Sequence, residues 1–230
     1  MQSAAGESGG TVTAFLVPDV NGEADWQVRW FGRQTEVLLC GHATMASAHI
    51  LLARGAKDSI TFRSQQGAIL EARACDMGIE MALSAIEARL GDWPEAAKFL
   101  GAEPVVTYRS DLRYAAFFFE SEAQIRALAP DFSGLASLGD DQFICTAPGD
   151  RSDIVSRVFT PGLGLGEDIV TGSAHAVLTP LWTKRLERDQ FSAVQASERG
   201  GRMECRLEGD QVVLAGECAT VIEGEFYLSG

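Results

Sequence analysis

Apolar and polar residues alternate with a period near two over much of the chain, which is the pattern of half-buried strands. Thr11–Val17 and Asp25–Phe31 read as strands from their β-branched and aromatic residues. Gly41–Arg54 breaks the rhythm. Its apolar residues fall on nearly every face, which predicts a buried helix, and Gly55 stands where a helix stop is expected. Short strands are predicted at Ser59–Ser64, Gly67–Ala74 and Gly78–Ser84, with turns at Gly67 and at Asp76–Gly78, and a short helix at Pro94–Leu100.

A second run follows the first. Val105–Tyr108, Leu112–Phe119, Phe143–Thr146 and Asp153–Phe159 read as strands, and Glu122–Leu128 as a helix. Gly172–Arg188 reads as a second long apolar helix in which Pro180 should bend the axis or open one backbone bond. Strands at Phe191–Ala196, Arg202–Leu207 and Val212–Ala215 complete the run. The order of elements repeats. Phe31 and Phe159 are 128 positions apart, Gly41 and Gly172 are 131 apart, and Ser64 and Ser197 are 133 apart. These offsets predict a duplicated unit, in each copy of which a curved sheet wraps one apolar helix. Two such lobes would face each other across a cleft that receives both helix N-termini, with their unpaired N–H groups and positive dipole ends, and would suit an anion such as a carboxylate.

Composition narrows the function classes. The 230 residues are 46% hydrophobic and 22% charged, values of a globular protein. A net charge of −13 speaks against a nucleic-acid partner, which calls for a basic stripe. No apolar run approaches the roughly 20 residues of a membrane span, and the N-terminus has neither the basic start nor the apolar core of a signal peptide. Five cysteines, never in a CxxC pair, predict reduced thiols in a cytoplasmic protein. No HExxH or paired Cys/His spacing is present, so no metal site is expected.

Two segments carry candidate chemistry. Cys40-Gly41-His42-Ala43-Thr44 opens the first long helix. A cysteine there can serve as base or nucleophile, and His42 can donate to a carboxylate or relay a proton. Glu167-Asp168-Ile169-Val170-Thr171-Gly172-Ser173-Ala174-His175 opens the second, where Thr171 or Ser173 is a candidate helix cap and Asp168 gains from the dipole. His49 and His175 read as structural. The glycines at Gly162–Gly166 and Gly200–Gly201 match no phosphate-binding fingerprint.

The two motifs, with the VRWF and VSRVF strands before them and QASERGG after the second, resemble the phenazine-biosynthesis PhzF-like isomerases over nearly the whole chain. The resemblance implies an α+β fold like that of diaminopimelate epimerase: two pseudo-symmetric lobes, each a barrel-like, mostly antiparallel sheet around a central apolar helix. It implies lobes at 1–104 and 105–217, the site between them, and a homodimer. It also implies an isomerase that moves a proton without metal or organic cofactor on a small carboxylate-bearing metabolite, as the phenazine enzyme does on a dihydro-hydroxyanthranilate. His42, Asp168 and Ser173 match family residues around the substrate, and Gly41 and Gly172 match its helix-start glycines. Ala43 and Thr171 adjoin them as binding candidates. Cys40 stands where diaminopimelate epimerase and proline racemase place a base cysteine, and its partner cysteine would fall at Thr171.

Two departures stand out. The family's catalytic glutamate falls at Val12, which cannot accept a proton, and the Asn-Leu pair of that family segment is replaced by Gly9-Gly10. The opening strand and GNP-containing turn usual in the family are missing, with 218–230 as the segment available to complete the first lobe. The expectation is therefore an isomerase of doubtful phenazine-type activity, and the alternative is a non-catalytic carboxylate-binding protein of the same fold.

Overall fold

The computed structural model describes residues 1–8, 12–32, 35–55, 57–225 and 227. Gly9, Gly10 and Thr11 lie outside the described residues, as do 226 and 228–230 of the segment expected to complete the first lobe. The chain divides into two compact units, Met1–Ala82 with Ala215–Gly230, and Leu83–Leu214.

The first unit begins with α1 (Gln2–Glu7), then β1 (Val12–Pro18), β2 (Trp26–Gly32), β3 (Glu36–Val37), α2 (Gly41–Arg54), β4 (Ser59–Ser64), β5 (Ile69–Cys75) and β6 (Gly78–Ser84). Its strand order is β1-β2-β4-β5-β6, with β3 paired to β2. The β2–β4 pair is parallel because α2 carries the chain back to the same end, as a crossover must. Burial alternates along β4, β5 and β6, so one face of this sheet is packed and the other wet. Helix α2 lies on the packed face, against β1, β4 and β5. Only Ala43, Thr44 and Ala48 of α2 are buried, and Ala46 is exposed. The expectation of a wholly buried first helix is thus corrected: this unit covers one side of α2. Gly55 ends α2 with an extended φ of −116°, so the stop does not depend on glycine's left-handed freedom. Cys218–Glu225 form neither helix nor strand, and Glu223 pairs with Arg54.

The second unit holds β7 (Arg89–Leu90), α3 (Pro94–Leu100), β8 (Val106–Ser110), β9 (Tyr114–Phe118), α4 (Glu122–Ala127), α5 (Phe132–Ser137), β10 (Gln142–Pro148), β11 (Ile154–Phe159), β12 (Glu167–Asp168), α6 (Gly172–Leu186), β13 (Gln190–Gln195), β14 (Gly201–Glu208) and β15 (Gln211–Gly216). Its strands run in the order β15-β14-β13-β11-β10-β9-β8-β7, with β12 on β11. Residues 85–104 belong here rather than to the first lobe as drawn from sequence, because β7 pairs with β8 and Ala96 and Leu100 of α3 enter this unit's core; the division itself falls within β6, after Ala82.

Strands β9 to β11 are buried on both faces, which explains their unbroken apolar runs. One face packs Phe117, Phe143, Cys145 and Phe159 with Leu100, Ile125 and Leu135 of the short helices. The other meets α6: the Trp182 ring lies 5.2 Å from that of Phe118, and Trp182 Nε1 donates to Thr146 Oγ1 at 3.0 Å. Here the buried helix is as expected, with nine of its fifteen residues enclosed, against three of fourteen in α2. Pro180 cannot donate to the Ala176 carbonyl four residues back. The backbone N–H of Ile86 takes that acceptor at 3.1 Å, so the opened bond is satisfied from outside the helix.

The duplication is visible in the registers. Phe31 lies opposite Glu36 as Phe159 lies opposite Glu167. Val28 lies beside Ser64 on a parallel strand as Ser156 lies beside Gln195. The position equivalent to Ser64 in the second unit is therefore Gln195, two residues before the Ser197 that sequence offsets select. Together these pairings give the mostly antiparallel α+β fold, with one sheet and one long helix repeated in each unit.

Candidate functional site

Each long helix starts directly after a short strand that pins it. In the first unit β3 pairs with β2, and Arg29 donates to Glu36 from Nε at 2.8 Å and from Nη2 at 2.7 Å. In the second, β12 pairs with β11, and Arg157 donates to Glu167 from Nε and Nη2, both at 2.8 Å. Such two-pronged pairs fix direction as well as distance. The helices then begin at Gly41 and Gly172 from N-cap residues Cys40 and Thr171, both extended. Neither helix start receives a side-chain cap, so the expected capping by Thr171 or Ser173 is corrected. First-turn N–H groups have no intrahelical acceptor, and both starts keep donors directed outward along the axis.

At the first start, Cys40 is buried and His42 half-buried. Cys40 Sγ lies 3.4 Å from His42 Nε2 and 3.7 Å from Nδ1, close enough to share a proton. Beneath them the Thr44 hydroxyl donates to Cys40 O at 2.8 Å and accepts from Trp30 Nε1 at 3.1 Å. The turn holding the cysteine is therefore fixed from the sheet.

At the second start, Asp168 and Ser173 are half-buried and Thr171 is buried. Asp168 Oδ1 accepts from Ile169 N at 2.9 Å, and Oδ2 accepts from the Thr171 hydroxyl at 2.6 Å. The Thr171 backbone N–H donates to Gln195 Oε1 at 2.8 Å. Both donors of Thr171 are thus engaged within the protein, which leaves the N–H groups that follow it as the outward ones. Gly201 lies so near the loop that a Cβ there would come within 2.3 Å of Val170 Cγ2, which accounts for one glycine of the QASERGG segment.

His175 is fully buried, as expected of a structural residue. Its Nδ1 lies 2.9 Å from Thr171 O, an acceptor only, so Nδ1 carries the proton; Nε2 then accepts from the Ser156 hydroxyl at 3.3 Å. Burial pulls this imidazole down to about 4, against a weaker upward pull from the Thr171 carbonyl. It stays neutral near pH 7 and serves the N-cap carbonyl of α6 as Thr44 serves that of α2. His49 is half-buried on α2.

Sequence reasoning missed Gln195, Ser156 and the two Arg–Glu pairs as supports of these helix starts. The signal existed for the pairs, since Arg29 and Arg157, and Glu36 and Glu167, stand at the same offsets as the flanking landmarks. None of the five cysteines forms a disulfide. Among the described residues no group of three His, Cys, Asp or Glu side chains could hold a metal ion. No helix among them is long and apolar enough to cross a membrane.

These helix starts and their supports can be set against known proteins. A profile described as phenazine biosynthesis-like protein matches residues 1–224. An uncharacterized isomerase of Pseudomonas aeruginosa is 40% identical over 231 residues, covering 100% of this chain and 87% of the relative. The crystal structure of a phenazine biosynthesis protein of the PhzF family from Enterococcus faecalis superposes with a TM-score of 0.92 at 35% identity, covering 99% of this chain and 86% of that one. A probable proline racemase from Agrobacterium radiobacter, solved with bound carbonate, shares the fold alone, at a TM-score of 0.58 and 12% identity over 93% of this chain and 77% of that one. The chain belongs to the phenazine biosynthesis-like (PhzF) family of isomerases.

Proposed function

We propose that this chain is a cofactor-free isomerase that moves a proton within a small carboxylate-bearing metabolite of the cytoplasm. The observation that carries the reading is the coincidence, at each of two long helix starts, of outward N–H groups without a side-chain cap and an acid–base group in the same turn. The N–H groups at Gly41 and Ala43, and at Gly172 and Ser173, suit a carboxylate. Thr171 contributes by shaping the turn rather than by touching the ligand, since both its donors are taken.

Three groups suit the proton. Cys40 and His42 form a thiol–imidazole pair at 3.4 Å, in which one group can take a proton while the other restores it. Asp168 presents an oriented carboxylate. Val12, at the position of the family glutamate, offers no base, so in this reading the transfer runs through these residues and phenazine-type turnover is weak or absent. The second reading, a binding protein that keeps the anion-holding helix starts and lacks chemistry, draws on the same valine.

Deuterium exchange separates the two. The full chain is incubated in D2O with a panel of small C–H-acidic carboxylates, a chelator being present, and exchange is followed by NMR. The isomerase reading expects protein-dependent deuterium uptake into at least one compound, reduced in His42→Ala, Cys40→Ala and Asp168→Asn. Saturable carboxylate binding by calorimetry with no uptake into any compound would leave only the binding reading.

A further inference from the structure

The Gln195 side chain is fully buried, and its amide spends both of its N–H donors and its carbonyl oxygen on one turn. Oε1 accepts from Thr171 N at 2.8 Å, and Nε2 donates to Asp168 O at 2.9 Å and to Thr171 Oγ1 at 3.1 Å. The amide has one workable orientation. Flipped, its NH2 group would meet the Thr171 N–H donor to donor. With the amide so placed, the Thr171 hydroxyl must accept from it, and its own hydrogen is left to point at Asp168 Oδ2, 2.6 Å away.

We propose that Gln195 is a positioning residue for Asp168, acting through the Thr171 hydroxyl to fix Oδ2 as a hydrogen-bond acceptor of set direction. The proposal rests on the reading of Asp168 as a proton-handling group. Among the described residues the first unit has no such chain. There the position equivalent to Gln195 is Ser64, whose hydroxyl accepts from Ala68 N in its own turn, and the position equivalent to Asp168 is Val37. Among the described residues the polar chain therefore occurs once, at the helix start that carries the carboxylate. The charged or titratable groups near this loop include His175, reached through the Thr171 carbonyl and held neutral, the Arg157–Glu167 pair on the neighbouring strands, and Glu198 and Arg199 on the turn whose Ser197 hydroxyl donates to Ile169 O.

The test uses the full chain with 13C-labelled aspartate carboxyls, followed by NMR from pH 5 to pH 8.5. Gln195→Glu is nearly isosteric. Protonated, the introduced carboxyl donates to the Thr171 hydroxyl as the amide does. Ionised, it draws that hydroxyl away from Asp168. The Asp168 carboxyl resonance is expected to move as the introduced group ionises, and adding Thr171→Val should abolish the movement. Should Gln195→Glu not fold, Thr171→Ser and Thr171→Val in the otherwise natural chain replace it, and only the valine should displace the Asp168 signal. An Asp168 signal indifferent to these changes overturns the proposal.

Calorimetry with 2-aminobenzoate adds the functional arm. Its affinity in Gln195→Glu should match wild type at pH 5 and fall about tenfold by pH 8.5, one ionisation being enough for such a change, with the variant still fully folded at the assay temperature at each pH. A loss of binding that merely tracks melting would make Gln195 structural and overturn the proposal. Wild type that binds no 2-aminobenzoate, while the Asp168 signal responds as expected, would instead count against the carboxylate site and leave the Gln195 relay standing.

Discussion

Arg157 lies beside Glu167 across two hydrogen bonds of 2.8 Å, in the same relation that Arg29 holds to Glu36 in the first unit. Both arginines also lie over a phenylalanine two residues on, Phe159 at 4.9 Å and Phe31 at 5.0 Å. The pair is therefore a repeated device that ties the strand before a motif helix to the strand behind it. Its surroundings differ. The Arg157 side chain is largely enclosed and also donates to the carbonyls of Leu128 and Ile125, whereas Arg29 stands more open to water.

That difference sets the first prediction. Arg157→Leu strands the Glu167 carboxylate and two carbonyls, and should cost about 2 to 4 kcal/mol of folding stability. Arg29→Leu should lose distinctly less, since water replaces its partner's lost donors. Urea denaturation of the two variants, run in parallel, checks the order. Equal losses would show that enclosure does not govern the strength of these pairs.

His175 supplies a pH dependence. The unfolded chain takes up a proton on this imidazole near its ordinary value of 6.5, while the folded protein resists it down to about 4. Stability from the neutral ring is therefore complete above pH 6.5 and is lost as pH falls toward 4, by about 3 kcal/mol at most. Asp19, whose carboxylate is held well below its ordinary range by the Arg63 guanidinium and the Gln27 amide, acts in a separate window below its ordinary 3.8. Melting curves at pH 7.5, 6 and 5 should show a decline that His175→Gln flattens. The same slope in both proteins would sink the assignment.

Gly162 makes a close approach that no side chain permits. A Cβ there would sit 2.0 Å from the backbone oxygen of Gly139, and backbone cannot rotate aside. Gly162→Ala should destabilise the protein by about 1 to 3 kcal/mol through overpacking, and should shift the loop that leads to Asp168. Gly164, open around its Cβ position but at φ +77°, is the control: its alanine variant meets only the backbone penalty, of about 1 kcal/mol. Thermal melting and the NMR signal of Asp168 distinguish them, since only Gly162→Ala should move that signal.

Local pattern made the large elements readable. Gly41–Arg54, Ser59–Ser64, Gly78–Ser84 and Pro94–Leu100 fall where period and stop signals put them. The two-residue strands β3, β7 and β12 are too short to carry any period, and they exist because a neighbouring strand offers them partners. Helix α5 was missed although Asp131 caps it by accepting from Gly134 N at 3.0 Å, a signal hidden so soon after Pro130. The degree of burial of α2 depends on what covers its far side, which no local pattern encodes. At the site, Cys40, His42 and Asp168 were visible as residue types at helix starts. The Gln195 amide was not, because its partners Asp168 and Thr171 are 27 and 24 positions away and meet it only through the β11–β13 register.

The last prediction concerns Val12. It opens β1 in register with Gly32, so no side chain opposes it across the strand pair, and it is half-buried. A longer acidic side chain can be placed there without displacing a neighbour across the ladder, and Val12→Glu should change stability by no more than about 1 kcal/mol. A valine cannot exchange a proton, whereas a glutamate at this position supplies the carboxylate that the proposed isomerase reading finds wanting there. Wild type should turn over a dihydro-hydroxyanthranilate weakly or not at all, and Val12→Glu should raise the rate, with a dependence on pH that follows ionisation of the introduced carboxyl. The comparison requires only a spectrophotometric assay of the two proteins side by side. Efficient turnover by wild type with no gain in Val12→Glu would mean that the proton moves through another group, and Cys40→Ala and Asp168→Asn in the same assay would then identify which.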